Sequence, residues 1–199
     1  VLDLGRQSLT GVFPKTKEEA VTSGLLELVK CREDNGGGHC GLLQLRQSYD
    51  SGEMYGDNYG YRSGLNKSMV EHLNNKARDI LKRIEPCAGD IVLDIGSNDA
   101  TLLKSYPENG VIYVGFDPAG IKFKEFYPAH VELVPDFFSA RSFKNKFGRR
   151  KAKIITSIAM FYDLERPMDF VRDIEEVLAD DGIWHFEQSY MPSMLRTNS

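Results

Sequence analysis

The residues best placed to do chemistry are one glycine turn and the acid that follows it. Ile91-Val92-Leu93-Asp94-Ile95 is an apolar run with the length of one buried strand. It breaks into Gly96-Ser97-Asn98-Asp99-Ala100, a glycine followed by small residues. It leaves in Thr101-Leu102-Leu103-Lys104, which reads as the first turn of a helix. A strand that turns tightly on glycine makes a shelf of outward-facing backbone N–H groups at the carboxyl edge of a parallel sheet. The next apolar run, residues 111–116, ends in Asp117-Pro118. That acid stands twenty-one residues past Gly96, close to the ~20-residue spacing at which a carboxylate meets a ribose diol. The layout is one for holding a nucleoside. It is not the dinucleotide pattern, because the glycines of G-x-G-x-x-G are replaced by Asn98 and Thr101. That argues against a pyrophosphate on the turn and leaves a nicotinamide-dependent reductase a distant reading.

The elements around this turn alternate as an α/β sheet requires. Residues 67–84 read as a helix, with Met69, Val70, Leu73, Ala77, Ile80, Leu81 and Ile84 recurring at three and four. His72 on it reads as a surface or interdomain residue. Pro86 and Gly89 stop the helix before the strand at Ile91. Beyond Asp117 come a short helical piece at residues 122–126 and a strand at 131–134 with Asp136-Phe137 after it. A strand at 153–157 follows, then an amphipathic helix at 167–179 carrying Phe170, Val171, Ile174, Val177 and Leu178. Asp181-Gly182 is a turn signal, and residues 182–187 make the fifth strand of the series.

Composition narrows the class. The 199 residues carry 41% hydrophobic residues, enough for one core of ordinary size and a small appendage. The net charge is −4, and Lys146, Arg149, Arg150, Lys151 and Lys153 read as a solvated loop, so no nucleic-acid partner is expected. No apolar run approaches the ~20 residues of a membrane span, and no membrane partner or signal peptide is expected. Three cysteines, an odd number, disfavour a secreted disulfide framework and fit a cytoplasmic protein.

Residues 1–50 have another texture. Residues 25–31 read as a strand running into Cys31. Residues 32–39 form a glycine-rich loop, and residues 40–45 the returning strand that starts at Cys40-Gly41. Two cysteines flanking a hairpin loop are half of a zinc ribbon or knuckle. They do not close a tetrahedral site. His39 adjoins Cys40 and points elsewhere in an extended chain. Either two more cysteines precede Val1, or the pair is free. Residues 51–66 are a connecting segment rich in Tyr and Gly. It reads as an aromatic linker, or as a loop that carries Tyr hydroxyls to a ligand.

Asp94-x-Gly96-Ser97-Asn98-Asp99, with Asp117 behind it, resembles motif I of the class I S-adenosylmethionine-dependent methyltransferases. The resemblance implies a Rossmann-like sheet over residues 67–199, preceded by a small zinc-ribbon-like β domain. It implies that Gly96, Ser97, Asn98 and Asp99 hold the methionine tail of the cofactor and that Asp117 takes its ribose. Asp136-Phe137 resembles the adenine site, and Ser157-Ile158 lies where the family's reacting groups meet. The family's sheet has two further strands, so the chain is expected to be a fragment.

The ordered set is narrower still. Leu28-Val29-Lys30-Cys31, Cys40-Gly41-Leu42-Leu43, Tyr59-Gly60-Tyr61-Arg62-Ser63-Gly64, the motif I turn and Glu187-Gln188-Ser189-Tyr190-Met191-Pro192 resemble the sugar C-methyltransferases of deoxysugar biosynthesis. That family methylates a carbon beside the ketone of a nucleotide-linked keto sugar through an enolate. It carries a structural zinc on four cysteines, of which Cys31 and Cys40 would be the second pair. The resemblance implies that Tyr59, and less directly Tyr61, reach the sugar as catalytic residues. It places the proton-abstracting His beyond Ser199. Two departures stand out: Asp163 replaces a family His, and Ala100 stands where a glycine is usual. Methylation of oxygen or nitrogen on another small molecule, and a non-catalytic zinc-ribbon protein on the same fold, are the rival readings.

Overall fold

The computed structural model describes residues 1–9, 14–32, 38, 40–55 and 59–198. Contacts divide the chain into two units, Val1–Tyr61 and Arg62–Ser199. The division falls inside the Tyr/Gly-rich segment.

The first unit is an antiparallel meander of β1 (Leu2–Ser8), β2 (Ser23–Lys30) and β3 (Leu43–Leu45). The register of β1 on β2 slips between Asp3 and Arg6, where Gly5 takes a positive φ of 66°. This is the left-handed bulge position that glycine fills without strain. Only three residues return as β3, fewer than the strand expected from Cys40 onward, although Cys31 N–H still donates to Leu42 O at 2.8 Å. A short helix, α1 (Ser51–Met54), is capped by the Asp50 carboxylate. Among the described apolar residues of this unit, Leu9 alone is buried.

The second unit is a five-stranded parallel sheet. Its strands are β4 (Ile91–Ile95), β5 (Ile112–Phe116), β6 (Val131–Val134), β7 (Ala152–Ile158) and β8 (Leu178–Glu187), in the order β6-β5-β4-β7-β8. The helices are α2 (Lys67–Leu81), α3 (Ala140–Phe147), α4 (Pro167–Val177) and α5 (Met191–Thr197). Every residue of β4 is buried, and its side chains alternate between two cores. Val92 packs with Leu73, Ala77 and Ile80 of α2. Ile91, Leu93 and Ile95 pack with Phe143 of α3 and Phe170, Ile174 and Val177 of α4. Helices on both faces are what an all-parallel sheet requires. Truncating one of these fully buried aliphatics to Ala costs about 2–5 kcal/mol.

Three local expectations change. The segment after the glycine turn is not an α-helix: only a 3-10 turn at Leu103–Ser105 forms, because Pro107 ends the run within a few residues. Asp181-Gly182 turns the chain within β8 rather than before it: the pairing with β7 jumps from Ala152–Leu178 to Ile154–Ile183, so the residues between bulge out of the ladder. Gly182 serves close approach there, since a Cβ would lie 2.9 Å from Lys153 O. Helix α3 went unread. Its signal was Ser139 as N-cap with Phe143 and Phe147 one turn apart. Among the described residues, no helix is long and apolar enough to cross a membrane.

Candidate functional site

The strand order reverses at β4. The chain goes outward through β5 and β6, then returns to β7 on the other side of β4. At such a switch point the loops leaving the two central strands part and open a crevice at the carboxyl edge. Gly96 and Ser97 follow β4 into that edge, and Ser157 and Ile158 end β7 beside it, with Ile95 paired to Ser157.

The turn after β4 is built from left-handed backbone: Gly96 at φ 75°, Asn98 at 50° and Ala100 at 60°. Asn tolerates this region, but Ala gives up roughly 1–2 kcal/mol there, so Ala100 keeps the geometry that glycine gives elsewhere in such turns. Gly96 N–H donates to Phe116 O at 2.8 Å, pinning the turn to β5. A side chain at Gly96 would come within 3.4 Å of Met160 in the loop after β7.

Three carboxyl side chains converge here, all buried: Asp94, Asp99 and Asp117. Asp94 sits in the sheet and accepts from the Thr156 hydroxyl at 2.6 Å. Burial pushes its pKa up to about 7, the Thr156 hydrogen bond opposes that, and the charge of Asp117 adds to it. Asp117 accepts from Asn98 N–H and Ala119 N–H, each at 2.7 Å. Its pKa is raised by burial against the pull of those N–H groups. Each oxygen keeps a further lone pair, so the carboxylate is held in place and can still accept from a diol. Pro118, the first residue of the 3-10 segment Pro118–Phe126, fixes the chain beyond it.

The remaining polar groups are second partners of the same turn. The Ser97 and Tyr127 hydroxyls lie 2.8 Å apart, and Tyr127 donates to Asn98 O at 2.9 Å. Burial raises the Tyr127 pKa above its ordinary value. Gly115 makes room for this, as a Cβ there would lie 2.4 Å from the Ser97 hydroxyl. Asp136 accepts from Phe137 N–H at 2.8 Å just past β6, and both side chains are exposed. The Ser157 hydroxyl is spent on Trp184 Nε1 at 3.0 Å, so that residue faces the edge with its backbone.

Sequence reasoning missed what holds the turn from the other side. Residues 62–64, just before α2, lie across it. Ser63 N–H donates to Asn98 Oδ1 at 2.9 Å and Gly64 N–H to Asp99 Oδ2 at 3.0 Å. Arg62 Nε stands 3.5 Å from the same Asp99 oxygen, and its guanidinium lies 4.0 Å over the Phe126 ring. The available signal was Arg62 inside the Tyr-Gly-Tyr-Arg-Ser-Gly stretch. His72 and Lys76 of α2 are a second omission. Each reaches Glu187 at the end of β8 at 2.9 Å. Burial would raise the Glu187 pKa, but the bonds from Lys76 and His72 outweigh it and hold it low.

Tyr59, Tyr61, Cys31 and Cys40 belong to the first unit. Tyr59 packs edge-on to Tyr55 at 5.3 Å, and Tyr61 is half exposed. The backbone and side chain of Cys40 draw the Cys31 thiol below its ordinary pKa. His39 lies outside the described residues, and among those described no three metal-ligating side chains cluster. A cavity of about 310 Å³ on this unit is lined by Leu2, Asp3, Glu27, Leu28, Val29 and Arg46. It holds an Arg46–Glu27 ion pair at 3.4 Å and gathers no candidate residue.

Comparison with known proteins places the second unit in a known family and relates the whole chain to a curated protein. The sequence pattern of the family described as "Methyltransferase domain" matches residues 69–195. The C-methyltransferase NovU of Streptomyces niveus is 25% identical over 201 residues, covering all of this chain and 46% of NovU. The chain therefore spans about half the length of that curated relative. Among solved structures, the plantazolicin methyltransferase BamL, in complex with a triazolic desmethylPZN analogue and SAH, superposes with a TM-score of 0.52 at 15% identity. The match covers 66% of this chain and 52% of BamL. The plantazolicin methyltransferase BpumL, with the same kind of ligands, gives 0.51 at 12% identity over 67% and 52% of the two chains. These structural likenesses speak to the fold.

Proposed function

Because the chain belongs to the methyltransferase-domain family, we propose that the carboxyl edge of its sheet binds S-adenosylmethionine and directs the methyl group to a carbon beside the ketone of a nucleotide-linked keto sugar. The observation that carries the cofactor reading is the set of three buried carboxyl groups around one glycine turn at the switch point. S-adenosylmethionine brings a sulfonium and an ammonium, and buried acids favour such a ligand over an anionic pyrophosphate. The cofactor supplies an electrophilic methyl, and displacement by an acceptor carbanion breaks the C–S bond and releases S-adenosylhomocysteine. The protein's part is positioning. Asp117 accepts from the ribose hydroxyls, Asp136 and Phe137 flank the adenine, Gly96 to Asp99 receive the amino-acid tail, and Ser157-Ile158 bound the methyl.

The acceptor reading rests on the C-methyltransferase relative and on the ordered motifs around Tyr59 and Tyr61, which would touch the sugar. Cys31 and Cys40 fit as two thiolates of a structural zinc, since they flank one hairpin loop and, among its described residues, the unit around them has almost no core. Calorimetric titration with S-adenosylhomocysteine tests the cofactor reading. Micromolar binding by the 199-residue chain, weakened at least tenfold in Asp117→Asn, is the expected result; no binding by a folded chain overturns it. Loss of deuterium from the α-carbon of the acceptor during turnover tests C-methylation. Its full retention removes that reading.

A further inference from the structure

His72 is a histidine with one ring nitrogen engaged and one open. Its Nε2 lies 3.0 Å and 2.9 Å from the two oxygens of Glu187. A carboxylate only accepts, so Nε2 carries the hydrogen and Nδ1 of the neutral ring keeps its lone pair. Among the described residues Nδ1 has no hydrogen-bond partner. The side chain is 41% exposed, so a ligand has access to it. Lys76 Nζ stands 2.9 Å from Glu187 Oε2. Burial alone would raise the Glu187 pKa, and the bonds from Lys76 and His72 bring it below its ordinary value. Held by Lys76 as well, the carboxylate keeps its charge while the ring is neutral and stabilises the ring once a proton arrives at Nδ1.

The pair stands at the carboxyl edge of the sheet. Ser63 and Gly64 are bonded to Asn98 and Asp99, so α2 begins over the turn after β4. His72 is the sixth residue of α2, about 8 Å along its axis. Glu187 ends β8 and pairs with Ile158, and its carbonyl accepts Ala159 N–H at 3.0 Å. By alternation its side chain shares a face with Ile183, which packs on the core formed with α2. Ile158, one of the residues proposed to bound the methyl, is therefore one strand spacing away, about 5 Å. His185 lies two residues earlier on the same face, one pleat deeper. Its Nε2 is buried without a partner, and burial lowers its pKa. Lys76, Asp79 and Arg83 are the other charged groups facing this contact.

We propose that His72 accepts the proton from the carbon that is methylated, with Glu187 as the positioning residue that fixes its tautomer and Lys76 as the counter-ion of Glu187. This rests on the C-methylation reading. The C–H bond beside the ketone breaks, its electron pair passes into an enolate, and the proton goes to Nδ1. The enolate carbon then displaces the methyl from sulfur, which forms the C–C bond and releases S-adenosylhomocysteine. The exposed ring returns its proton to water. The resemblance to the sugar C-methyltransferases places this proton on a His beyond Ser199, whereas His72 stands within the chain, beside the end of β7. An ion triad that only tied α2 to β8 would leave the proton step untouched.

The test follows deuterium washout from a nucleoside-diphosphate ketohexose, labelled at both carbons beside the ketone and supplied in thymidine and uridine forms. S-adenosylhomocysteine in place of the methyl donor isolates the proton step. The 199-residue chain should exchange the label into water, at a rate that falls toward low pH as the ring takes up a proton. His72→Gln keeps an N–H for Glu187 and should exchange about a hundredfold more slowly or worse. Its S-adenosylhomocysteine affinity and its urea unfolding should match the parent. Glu187→Gln should slow exchange less and move the pH profile. Nitrogen NMR of the His72 ring should show the hydrogen on Nε2 in the parent and a mixture of tautomers in Glu187→Gln. Exchange that survives His72→Gln overturns the assignment. So does a parent that binds S-adenosylhomocysteine yet exchanges no label, or one whose His72 carries its hydrogen on Nδ1, and neither result needs a variant to fold. In turnover with S-adenosylmethionine, a methylated product that retains all its label removes the C-methylation reading and the base with it. Failure of the parent to bind S-adenosylhomocysteine removes the cofactor reading instead, and the proposal falls with it.

Discussion

Asp117 Oδ2 accepts the backbone N–H of Asn98 at 2.7 Å, which ties the acid at the end of β5 to the turn that ends β4. The other oxygen accepts Ala119 N–H. One side chain thus sets the turn, starts the next segment and presents lone pairs to the crevice. The binding role proposed for it and its structural role are not separable by deletion alone.

Asp117→Ala should accordingly damage both. It leaves two buried N–H groups without acceptors, and at roughly 1–3 kcal/mol for each the stability loss should be a few kcal/mol by urea unfolding. Trp184, the single tryptophan, is packed against Phe161 and Phe186 in the same unit and reports the transition. Asp117→Asn keeps one accepting oxygen, so it should lose less stability while still losing most affinity for S-adenosylhomocysteine. Equal stability loss in the two variants would show that the carboxylate charge, not the hydrogen bonds, holds the turn.

Asp94 makes stability depend on pH in an unusual direction. Its folded pKa of about 7 lies above the ordinary aspartate value of 3.8, so the native state holds a proton that the unfolded chain releases. The contribution of Asp94 to stability is full below about pH 4, falls as the pH rises through 4 to 7, and is flat above 7. Over that window the loss is on the order of 3–5 kcal/mol for a fully buried group. Asp94→Asn removes the titration. The difference in unfolding free energy between parent and variant should shrink or reverse from pH 4 to pH 8. A constant difference across that range would mean that Asp94 is ionised in the native state.

Gly64→Ala probes the segment before α2 without deleting a functional group. The added Cβ would meet Asp99 Oδ2 at 2.4 Å and Thr101 Oγ1 at 3.2 Å, so backbone or acid must shift. Overpacking of this kind costs about 1–3 kcal/mol. Affinity for S-adenosylhomocysteine should fall at least tenfold, with a smaller change for 5′-methylthioadenosine. Unchanged affinity for both would detach residues 62–64 from the ligand site.

The parts of the site that could be read in the sequence are those set within one strand and its turn. Ile91 to Gly96 announces itself because five buried residues and one left-handed glycine are local requirements, and Asp117 follows because the length of a strand–turn–strand unit is nearly fixed. The sheet order and the alternation of Val92 against Leu93 follow from the same periodicity. Arg62 was not legible, since its role depends on folding residues 62–64 back over a turn thirty-odd positions later. The pairing of His72 with Glu187 spans 115 residues and has no local mark. The expected helix at Thr101 failed because apolar residues at helical spacing do not outweigh a proline at 107. Gly182 signals a local turn, but whether that turn precedes a strand or bulges within one depends on the pairing with β7, which lies far away in sequence.

Removal of metal should act on the first unit alone. With Leu9 as its only buried apolar residue among those described, the meander cannot draw stability from a core, and a unit of that size ordinarily needs a staple. Cys31 and Cys40 are the thiols that flank its hairpin loop. Bound zinc should therefore be found by elemental analysis of protein purified without chelator, and stripping it should raise the rate of proteolytic cleavage within residues 1–61 while residues 62–199 stay resistant. Cys40→Ser should reproduce the stripped pattern, because a site that loses one thiolate loses most of its affinity and the loop loses its anchor. Absence of metal, together with a cleavage pattern indifferent to both chelator and Cys40→Ser, would leave the two cysteines as an ordinary thiol pair at a hairpin neck.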